Sequence, residues 1–360
     1  MGSWRDSLID IEPYTAGEQI RAPGLIKLNT NEDPYPLPRG VQRAAAGFSA
    51  DGLIRYPDPD AGAFTGAVAS LLGVAGDMVI AGNGSDEVLA FAFRAFFNSG
   101  RPVLFPDVTY SFYPVWCRLF GIPFEEVPLT EGFRLRASDY DRANGGIVIA
   151  NPNAPTGIAE GADFVSRLLE SNPGSVVIID EAYFGFGAPT ALPLLDRYDN
   201  LFIVRTLSKS HSLAGLRLGF GCGSPELVSA VKAVKNSFNS YTVDSFAEAV
   251  GAAAVADEPL YRERAERLAR ARDGFTASMR GLGFTVYDSS ANFVFMTHPR
   301  ADAGVMYRWL KARGVLVRWF DKPQTADHLR VTIGLEEEMD ALSRALGEYL
   351  GGTVKTPGRG

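Results

Sequence analysis

The sequence is poor in the residues that form disulfide frameworks and metal sites. Only two cysteines, Cys117 and Cys222, occur in 360 residues, so at most one disulfide is possible. Because the start of the chain has no secretory signal, we expect both thiols to be reduced and buried. The three histidines, His211, His298 and His328, are scattered and lack the spacing of metal ligands. The sequence therefore predicts neither a disulfide scaffold nor a bound metal.

Long apolar runs and blocks of basic residues are also missing. No apolar run approaches the roughly 20 residues that a membrane span needs. Lys and Arg number 35 against 42 Asp and Glu, which gives a formal net charge of −7 and disfavours nucleic acid as a partner. The hydrophobic fraction of 46% is ordinary for a globular protein, and 360 residues suit about two domains. We expect a cytoplasmic protein without membrane or nucleic-acid partners.

What the first two thirds of the chain does contain is a series of short apolar runs, each followed by a turn and a helical pattern. The runs lie at 78–81, 103–105, 147–150, 176–179 and 201–205. Runs of this length are typical of strands buried on both faces, and their alternation with helices favours a parallel sheet. The predicted fold class is therefore α/β with a mostly parallel central sheet.

The pattern changes after about residue 240. A helical stretch over 260–282 is followed by strand-like 292–297, helical 305–312, strand-like 315–320 and 329–333, and a closing helix over 335–350. This order is typical of an α+β unit. We expect an N-terminal arm at 1–30, a large domain at 31–240 and a smaller C-terminal domain at 241–360.

Ligands of open parallel sheets bind beyond the carboxyl ends of the strands, so the residues after each run are candidates for a site. After 78–81, a Gly-Asn-Gly segment leads into a helix at Ser85 and Asp86, where free N–H groups attract an anion. These two residues are equally suited to cap the helix. After 103–105, Tyr110 is placed either to stack on a flat ring or to pack in the core.

Two further segments add a rigid loop and a carboxylate. Residues 151–157 read Asn-Pro-Asn-Ala-Pro-Thr-Gly, which forces a non-helical turn. Asp180 and Tyr183 follow the run at 176–179. An apolar run that ends in Asp also resembles the Walker B strand of ATPases. That interpretation requires a P-loop lysine, and the sequence contains no Gly-Lys dipeptide, so we reject it.

Lys209 is the residue that points most clearly to one kind of chemistry, the formation of an imine by a lysine amine. It follows the run at 201–205 and is the only lysine between Lys27 and Lys232. Either it is a solvated surface lysine, or burial lowers its pKa and makes the amine available for imine chemistry. An anion site, a ring stacker, a carboxylate, a phenol and an amine at one sheet edge match the parts of pyridoxal 5′-phosphate (PLP).

At these residues the sequence resembles the fold-type I PLP-dependent enzymes of the class I/II aminotransferase superfamily. Ser208-Lys209 followed by Arg217, together with Asp180 and Tyr183 at their spacing, is specific for the superfamily. The segments that resemble its histidinol-phosphate branch are Arg-Tyr-Pro-Asp at 55–58, Gly-Ser-Asp-Glu at 84–87, Thr-Tyr-Ser at 109–111 and Leu-Arg-Val-Thr-Ile-Gly at 329–334.

The resemblance implies a role for each matching residue around the cofactor. Lys209 holds PLP covalently and moves the proton at the substrate Cα, Asp180 pairs with the ring nitrogen, and Tyr183 binds the ring oxygen. Tyr110 stacks on the ring. The implied phosphate ligands are Ser85, Asp86, Thr206, Ser208 and Arg217, with Tyr56 from the second subunit of a homodimer that shares its active sites.

The resemblance also implies a substrate site. Arg330 binds the anionic end of the substrate, because a guanidinium matches carboxylate and phosphate alike. Arg318, Tyr14 and Asn31 join it, although Arg318 alternatively reads as a solvated arginine. Ala154 departs from the family, which has asparagine there as a ligand of the ring oxygen. Either Asn153 replaces that asparagine by a one-residue shift, or Tyr183 makes the contact alone.

The implied reaction is amino transfer from histidinol phosphate to 2-oxoglutarate in histidine biosynthesis. Transfer from aromatic amino acids and decarboxylation of threonine phosphate remain alternatives, because the same fold performs both. A PLP-sensing DNA-binding regulator would need an additional basic segment, which this acidic chain lacks. The expected partners are a small amino donor, a 2-oxo acid and a second copy of the chain.

Overall fold

The computed structural model describes residues 3–20 and 22–353. Its strands are β1 (Ile26–Lys27), β2 (Val79–Gly82), β3 (Val103–Pro106), β4 (Phe124–Val127), β5 (Gly146–Ala150), β6 (Val177–Asp180), β7 (Leu201–Thr206), β8 (Gly219–Gly223), β9 (Thr285–Val286), β10 (Phe293–Thr297), β11 (Val315–Leu316), β12 (Arg318–Trp319) and β13 (His328–Thr332). Its helices are α1 (Arg39–Gly47), α2 (Gly62–Leu72), α3 (Ser85–Phe96), α4 (Phe112–Phe120), α5 (Ala162–Ser171), α6 (Leu207–Ser210), α7 (Pro225–Phe238), α8 (Ser245–Ala256), α9 (Glu258–Gly281), α10 (Ala303–Ala312) and α11 (Glu336–Thr353).

The larger sheet has seven strands in the order β2-β8-β7-β6-β5-β3-β4 within the described residues. The pairs from β7 to β4 are parallel, as the apolar runs predict, whereas β8 is antiparallel to both its neighbours. No apolar run marks β8, because three of its five residues are glycine. Gly221 is required there, since a Cβ would lie 2.4 Å from the Phe202 ring.

Helices cover both faces of this sheet, and the alternation of side chains along each strand separates two cores. On β5, Ile147 and Ile149 belong to one core, while Val148 belongs to the core on the opposite face. All three side chains are fully buried. Burying one such side chain contributes about 1.5–3 kcal/mol, so these strands hold the sheet edge that carries the site in place.

A second sheet of four antiparallel strands, in the order β12-β13-β10-β9, has a core of its own with α9, α10 and α11. The start of the chain joins this part, because β1 pairs in parallel with β11. The predicted strand at 315–320 divides at Val317, since β11 pairs with β1 whereas β12 pairs with β13. We propose that the division into arm, large domain and small domain follows the two sheets.

Within residues 3–20 and 22–353, every helix is too short or too polar to cross a membrane. The same residues contain no group of three or more His, Cys, Asp or Glu side chains that could hold a metal ion. Cys117 and Cys222 are both free and buried.

Candidate active site

The carboxyl ends of β5, β6 and β7 open into a cavity of about 400 Å³ that residues of the second sheet close from the other side. Most of the predicted site residues line this cavity: Tyr14, Asn31, Ser85, Asp86, Tyr110, Asp180, Tyr183, Thr206, Ser208, Lys209, Arg217, Arg318 and Arg330. The two predicted residues that do not line it are Asn153 and Tyr56.

One end of the cavity is suited to a phosphate. Helix α3 begins at Ser85 after Gly84, whose φ of 86° is in the left-handed region, and no side chain caps its first turn. The free N–H groups of a helix start attract an anion. Arg217 Nη1 donates to Ser208 Oγ at 3.3 Å, and Thr206 Oγ1 donates to the same hydroxyl at 3.0 Å. Two hydroxyls, a guanidinium and a helix start therefore converge here.

Lys209 lies in the short helix α6, directly after β7. Its Nζ donates to the backbone carbonyl of Thr30 at 2.9 Å. Burial lowers the pKa of Lys209 to about 8, and the positive charge of Arg330 acts in the same direction, while Glu32 opposes it. An amine with this pKa is neutral in a far larger minority of molecules near physiological pH than an ordinary lysine is, and the neutral form can act as a nucleophile or a base.

Asp180 ends β6 and is almost completely buried. Its Oδ2 accepts the hydroxyl proton of Tyr113 at 2.8 Å, and its Oδ1 accepts the backbone N–H of Ala182 at 3.1 Å. Burial raises the pKa of Asp180 to about 6, while these two hydrogen bonds lower it. A buried carboxylate of this kind is suited to pair with a cationic ring nitrogen. Tyr113 is a contact of the site that its position in the sequence does not reveal.

The amide that reaches Tyr183 is that of Asn31. Asn31 Nδ2 donates to the Tyr183 hydroxyl at 2.9 Å, and its Oδ1 accepts the Thr332 hydroxyl at 2.9 Å. Burial raises the pKa of Tyr183, while the positive charge of Arg330 lowers it. The side chain that the sequence assigned to the substrate therefore also orients the phenol assigned to the cofactor.

Asn153 is held between its own loop and the loop that follows β3. Its Nδ2 donates to the Val108 carbonyl at 2.9 Å and to Thr156 Oγ1 at 3.0 Å, and its Oδ1 accepts the Thr109 hydroxyl at 2.8 Å. All the hydrogen bonds of this amide described here go to the two loops at the sheet edge. Ala154, at the position of the family's asparagine, lines the cavity directly.

The opposite end of the cavity carries two arginines. Arg330 Nη2 donates to the Asn29 carbonyl at 3.1 Å, whereas its buried Nε has no partner among the described residues. The guanidinium carbons of Arg330 and Arg318 lie 5.3 Å and 5.1 Å from the centroid of the Phe320 ring. Arg318 Nη2 donates to the Thr15 carbonyl at 3.3 Å. This end is suited to an anionic substrate group.

Sequence reasoning missed several residues in this half of the site. Phe320 could have been found, because it follows Arg318 by two residues and so lies on the same face of an extended chain. Asn29 and Thr30 take part through backbone carbonyls, which no residue type reveals. Tyr14 lines the cavity, and its ring stacks on that of Phe112 with 4.2 Å between the ring centroids.

Tyr110 and Tyr56, the two tyrosines predicted to contact the ring and the phosphate of the cofactor, lie in different places. Tyr110 lines the cavity and donates its hydroxyl proton to Asp86 Oδ1 at 2.8 Å. Tyr56 lies outside the cavity with 82% of its surface exposed, and its ring stacks on Tyr241 at 4.7 Å. An aromatic pair this exposed is suited to contact another molecule.

The donor set fits the parts of PLP that the sequence resemblance names. The start of α3, Ser208 and Arg217 suit the phosphate, and the ring of Tyr110 suits the flat pyridine. Asp180 suits the ring nitrogen, and the amine of Lys209 suits the aldehyde. The cavity volume also lies within the range of cofactor sites.

Comparison with known proteins agrees with this geometry. The family model of aminotransferase class I and II matches residues 23–346. The histidinol-phosphate aminotransferase of Lactococcus lactis subsp. cremoris is 44% identical, with 97% of this chain and 98% of that protein covered. Histidinol-phosphate aminotransferase 1 of Bordetella parapertussis is 48% identical, with 95% and 97% covered.

A solved structure extends the likeness to three dimensions. The histidinol-phosphate aminotransferase of Sinorhizobium meliloti, solved in complex with pyridoxal-5′-phosphate, superposes with a TM-score of 0.80 over 91% of each chain. Its identity is 23%, so this likeness concerns the fold, and it confirms the expected fold-type I architecture. The family model spans nearly the whole described chain, and the two relatives are similar over their full length. The chain therefore belongs to the aminotransferase class I and II family.

Proposed function

We propose that the chain is a cytoplasmic, homodimeric PLP enzyme that transfers the amino group of L-histidinol phosphate to 2-oxoglutarate. The products are imidazole acetol phosphate and glutamate. The observation that carries the proposal is that Lys209, with a pKa of about 8, and the half-buried side chain of Arg330 line one cavity. The names of the two curated relatives, which are 44% and 48% identical, support the choice of substrate. The two free, buried cysteines suit a cytoplasmic location.

The residues around the cofactor would act as follows. When bound, PLP supplies a ring that accepts the electron pair left at the substrate Cα. Lys209 holds the cofactor and then serves as the base at Cα, a role for which a pKa near the operating pH is best suited. Asp180 holds the proton on the ring nitrogen. Tyr183, which Asn31 orients, donates to the ring oxygen.

Arg330 and Arg318 would bind the phosphate of the donor. Two adjacent guanidinium groups offer more N–H donors than a single carboxylate can accept, and they balance a group that carries nearly two negative charges. The unpaired Nε of Arg330 is one donor that a substrate oxygen would satisfy. The same arginines then bind a carboxylate of 2-oxoglutarate in the second half of the reaction.

The proposal of shared active sites is supported by an exposed apolar surface around Tyr56. Its members are Leu53, Ile54, Tyr56, Phe238 and Tyr241. Soluble monomers rarely expose large apolar side chains together, so a second copy of the chain is the expected occupant. Tyr56 of one subunit would then reach the phosphate end of the other subunit's cavity.

The decisive experiment is a visible absorbance titration of the purified protein with L-histidinol phosphate in the absence of any oxo acid. We expect a yellow band that histidinol phosphate converts to the pyridoxamine form, and no such band in the Lys209→Ala variant. A band that responds only to aromatic amino acids would show that these, and not histidinol phosphate, are the amino donors. Release of carbon dioxide from threonine phosphate would show that the enzyme is a decarboxylase. Absence of any band after PLP is added would overturn the assignment of PLP as the cofactor.

Shared active sites have a separate test. Lys209→Ala and Tyr56→Ala are each expected to be impaired, and a mixture of the two is expected to recover activity. In the mixed dimer, the site that retains Lys209 receives an intact Tyr56 from the other chain. If Tyr56 served the site of its own chain, mixing would restore nothing.

A further inference from the structure

Tyr113 contacts the site from behind. It lies in α4, is completely buried and packs against the rings of Phe93, Phe105 and Trp116. Its hydroxyl donates to Asp180 Oδ2 at 2.8 Å. It does not line the cavity, so it acts on the reaction only through residues that do. Its hydroxyl contacts Asp180, and its ring packs against Tyr110, a contact that Tyr113→Phe would keep.

We propose that Tyr113 is a positioning residue that keeps Asp180 ionised and fixes the direction in which its carboxylate faces the ring nitrogen of the cofactor. The inference rests on the proposed function, because it assigns a partner to the residue that pairs with PLP. The ligand group that Asp180 would contact is a pyridine ring whose nitrogen must stay protonated.

The hydrogen bonds of Asp180 explain the fixed orientation. One carboxylate oxygen accepts from Tyr113 and the other from the backbone of Ala182. With both oxygens bound, the carboxylate cannot rotate without breaking a hydrogen bond. Since Asp180 also lines the cavity, its remaining lone pairs are available to a ligand there.

The charges that face Asp180 explain why it needs a donor. Asp86, on α3, and Glu181, the next residue in the chain, both disfavour a second negative charge. Burial adds to this and raises the pKa of Asp180 to about 6, whereas the hydrogen bond from Tyr113 is the largest influence that lowers it. The cations that line the same cavity are Lys209, Arg217, Arg318 and Arg330. Among the described residues, Tyr113 is the only side chain that donates a hydrogen bond to Asp180.

The hydrogen bond from Tyr113 also affects whether the proton shared by Asp180 and the ring nitrogen resides on the carboxylate or on the nitrogen. A phenol that donates to Asp180 makes the carboxylate a weaker base, so the proton between Asp180 and a ring nitrogen stays on the nitrogen. Without the phenol, the proton moves toward the carboxylate. The ring then loses part of its positive charge and accepts electrons less well.

Core packing alone does not explain why the hydroxyl of Tyr113 has a hydrogen-bond partner. Tyr140 and Tyr261 are also buried, and neither hydroxyl has a hydrogen-bond partner among the described residues. The fold therefore tolerates a buried phenol without a partner. Tyr140 gives a matched control, because Tyr140→Phe removes a buried hydroxyl without a hydrogen-bond partner in the described part of the chain.

The test compares Tyr113→Phe with Tyr140→Phe and with the unchanged protein. Phenylalanine keeps the ring that packs in α4, and circular dichroism verifies that both variants are folded. The first readout needs no cofactor. The carboxyl of Asp180 is titrated by carbon NMR in the apoprotein and is assigned through Asp180→Asn. Tyr113→Phe is expected to raise this pKa by roughly one unit, and Tyr140→Phe to leave it unchanged.

The second and third readouts use the holoprotein. The dissociation constant of PLP is expected to rise about three- to tenfold in Tyr113→Phe, and the pH midpoint of the visible band is expected to move upward. If Tyr113→Phe matches Tyr140→Phe in all three measurements, the proposal is overturned. If the unchanged protein fails to bind PLP, the proposed function fails instead. The NMR titration still reports whether the hydrogen bond controls Asp180.

Discussion

Arg318 on β12 lies directly opposite Arg330 on β13, and both side chains line the active-site cavity. Like charges at opposite positions of antiparallel strands destabilise a sheet. The Phe320 ring, 5.1 Å and 5.3 Å from the two guanidinium carbons, offsets part of this repulsion through cation–π attraction. The remaining repulsion is relieved when an anion binds between them, so the pair favours ligands of high negative charge.

The arginine pair gives the first prediction. Arg318→Gln should raise the KM for histidinol phosphate about tenfold, because one charge-assisted contact to the phosphate is lost. The free energy of unfolding of the ligand-free protein should stay the same or rise by about 0.5 kcal/mol, because the repulsion is removed. Steady-state kinetics and urea unfolding measure the two quantities. Arg300→Gln, at an exposed position, is the control, and equal KM values for the two variants would contradict the prediction.

Lys209 should be identifiable in the apoprotein by the pH at which its amine reacts. Burial lowers its pKa to about 8, so its acetylation by a limiting amount of acetic anhydride should be half-maximal near that pH. Lys311 is a suitable internal control, since the hydrogen bond to Glu18 raises its pKa. Mass spectrometry of the digested protein follows both sites. PLP should protect Lys209 and not Lys311, and equal pH profiles for the two lysines would argue against a perturbed amine.

The raised pKa of Asp180 should make the free energy of unfolding decrease as the pH rises. Its pKa is raised from 3.8 to about 6 in the folded apoprotein, so folding disfavours the ionised form. Its contribution is fully present below about pH 4 and is lost as the pH rises through about 6. The free energy of unfolding of the unchanged protein, relative to Asp180→Asn, should therefore fall by about 2 kcal/mol between pH 4 and pH 7. Urea unfolding across this range tests the trend, and a difference that does not vary with pH would refute it.

Gly219 allows the start of α3 to lie against β8, because it has no side chain. A Cβ at Gly219 would lie 2.4 Å from the backbone nitrogen of Ser85, where α3 begins. Gly219→Ala should destabilise the protein by about 1–3 kcal/mol and weaken PLP binding, because the start of α3 must move. Gly66→Ala, in α2 with no atom within 4 Å of the new Cβ, should instead stabilise by about 0.5–1 kcal/mol. Thermal unfolding and PLP titration distinguish the two variants, and equal effects would contradict the argument.

The buried parallel strands could be located from sequence almost to the residue. The run at 201–205 corresponds to Leu201–Thr206, and the run at 103–105 corresponds to Val103–Pro106. Strands buried on both faces must be apolar throughout, so their composition marks them. β8 and β4 could not be located in this way. Gly219–Gly223 is mostly glycine, and Phe124–Val127 carries two exposed glutamates at the sheet edge, so neither strand is a continuous apolar run.

The site could be predicted as far as it depends on side chains that follow parallel strands. Asp180, Tyr183 and Lys209 gather at one edge because β6 and β7 are adjacent and parallel. The contacts that orient them depend on tertiary packing instead. Nothing in the sequence indicates that Asn31, more than 150 residues before Tyr183, supplies the amide that reaches its hydroxyl at 2.9 Å.

The hydrogen bonds of residues 29–31 have a consequence for how the protein matures. The Asn29 carbonyl accepts from Arg330, and the backbone N–H of Asn31 donates to Thr332 Oγ1, so these contacts join residues about 300 positions apart in the chain. The carbonyl that binds Lys209 belongs to the same segment. The substrate half of the site therefore cannot exist until the residues up to Thr332 have left the ribosome. However early the first sheet folds, this half of the site waits for the second sheet.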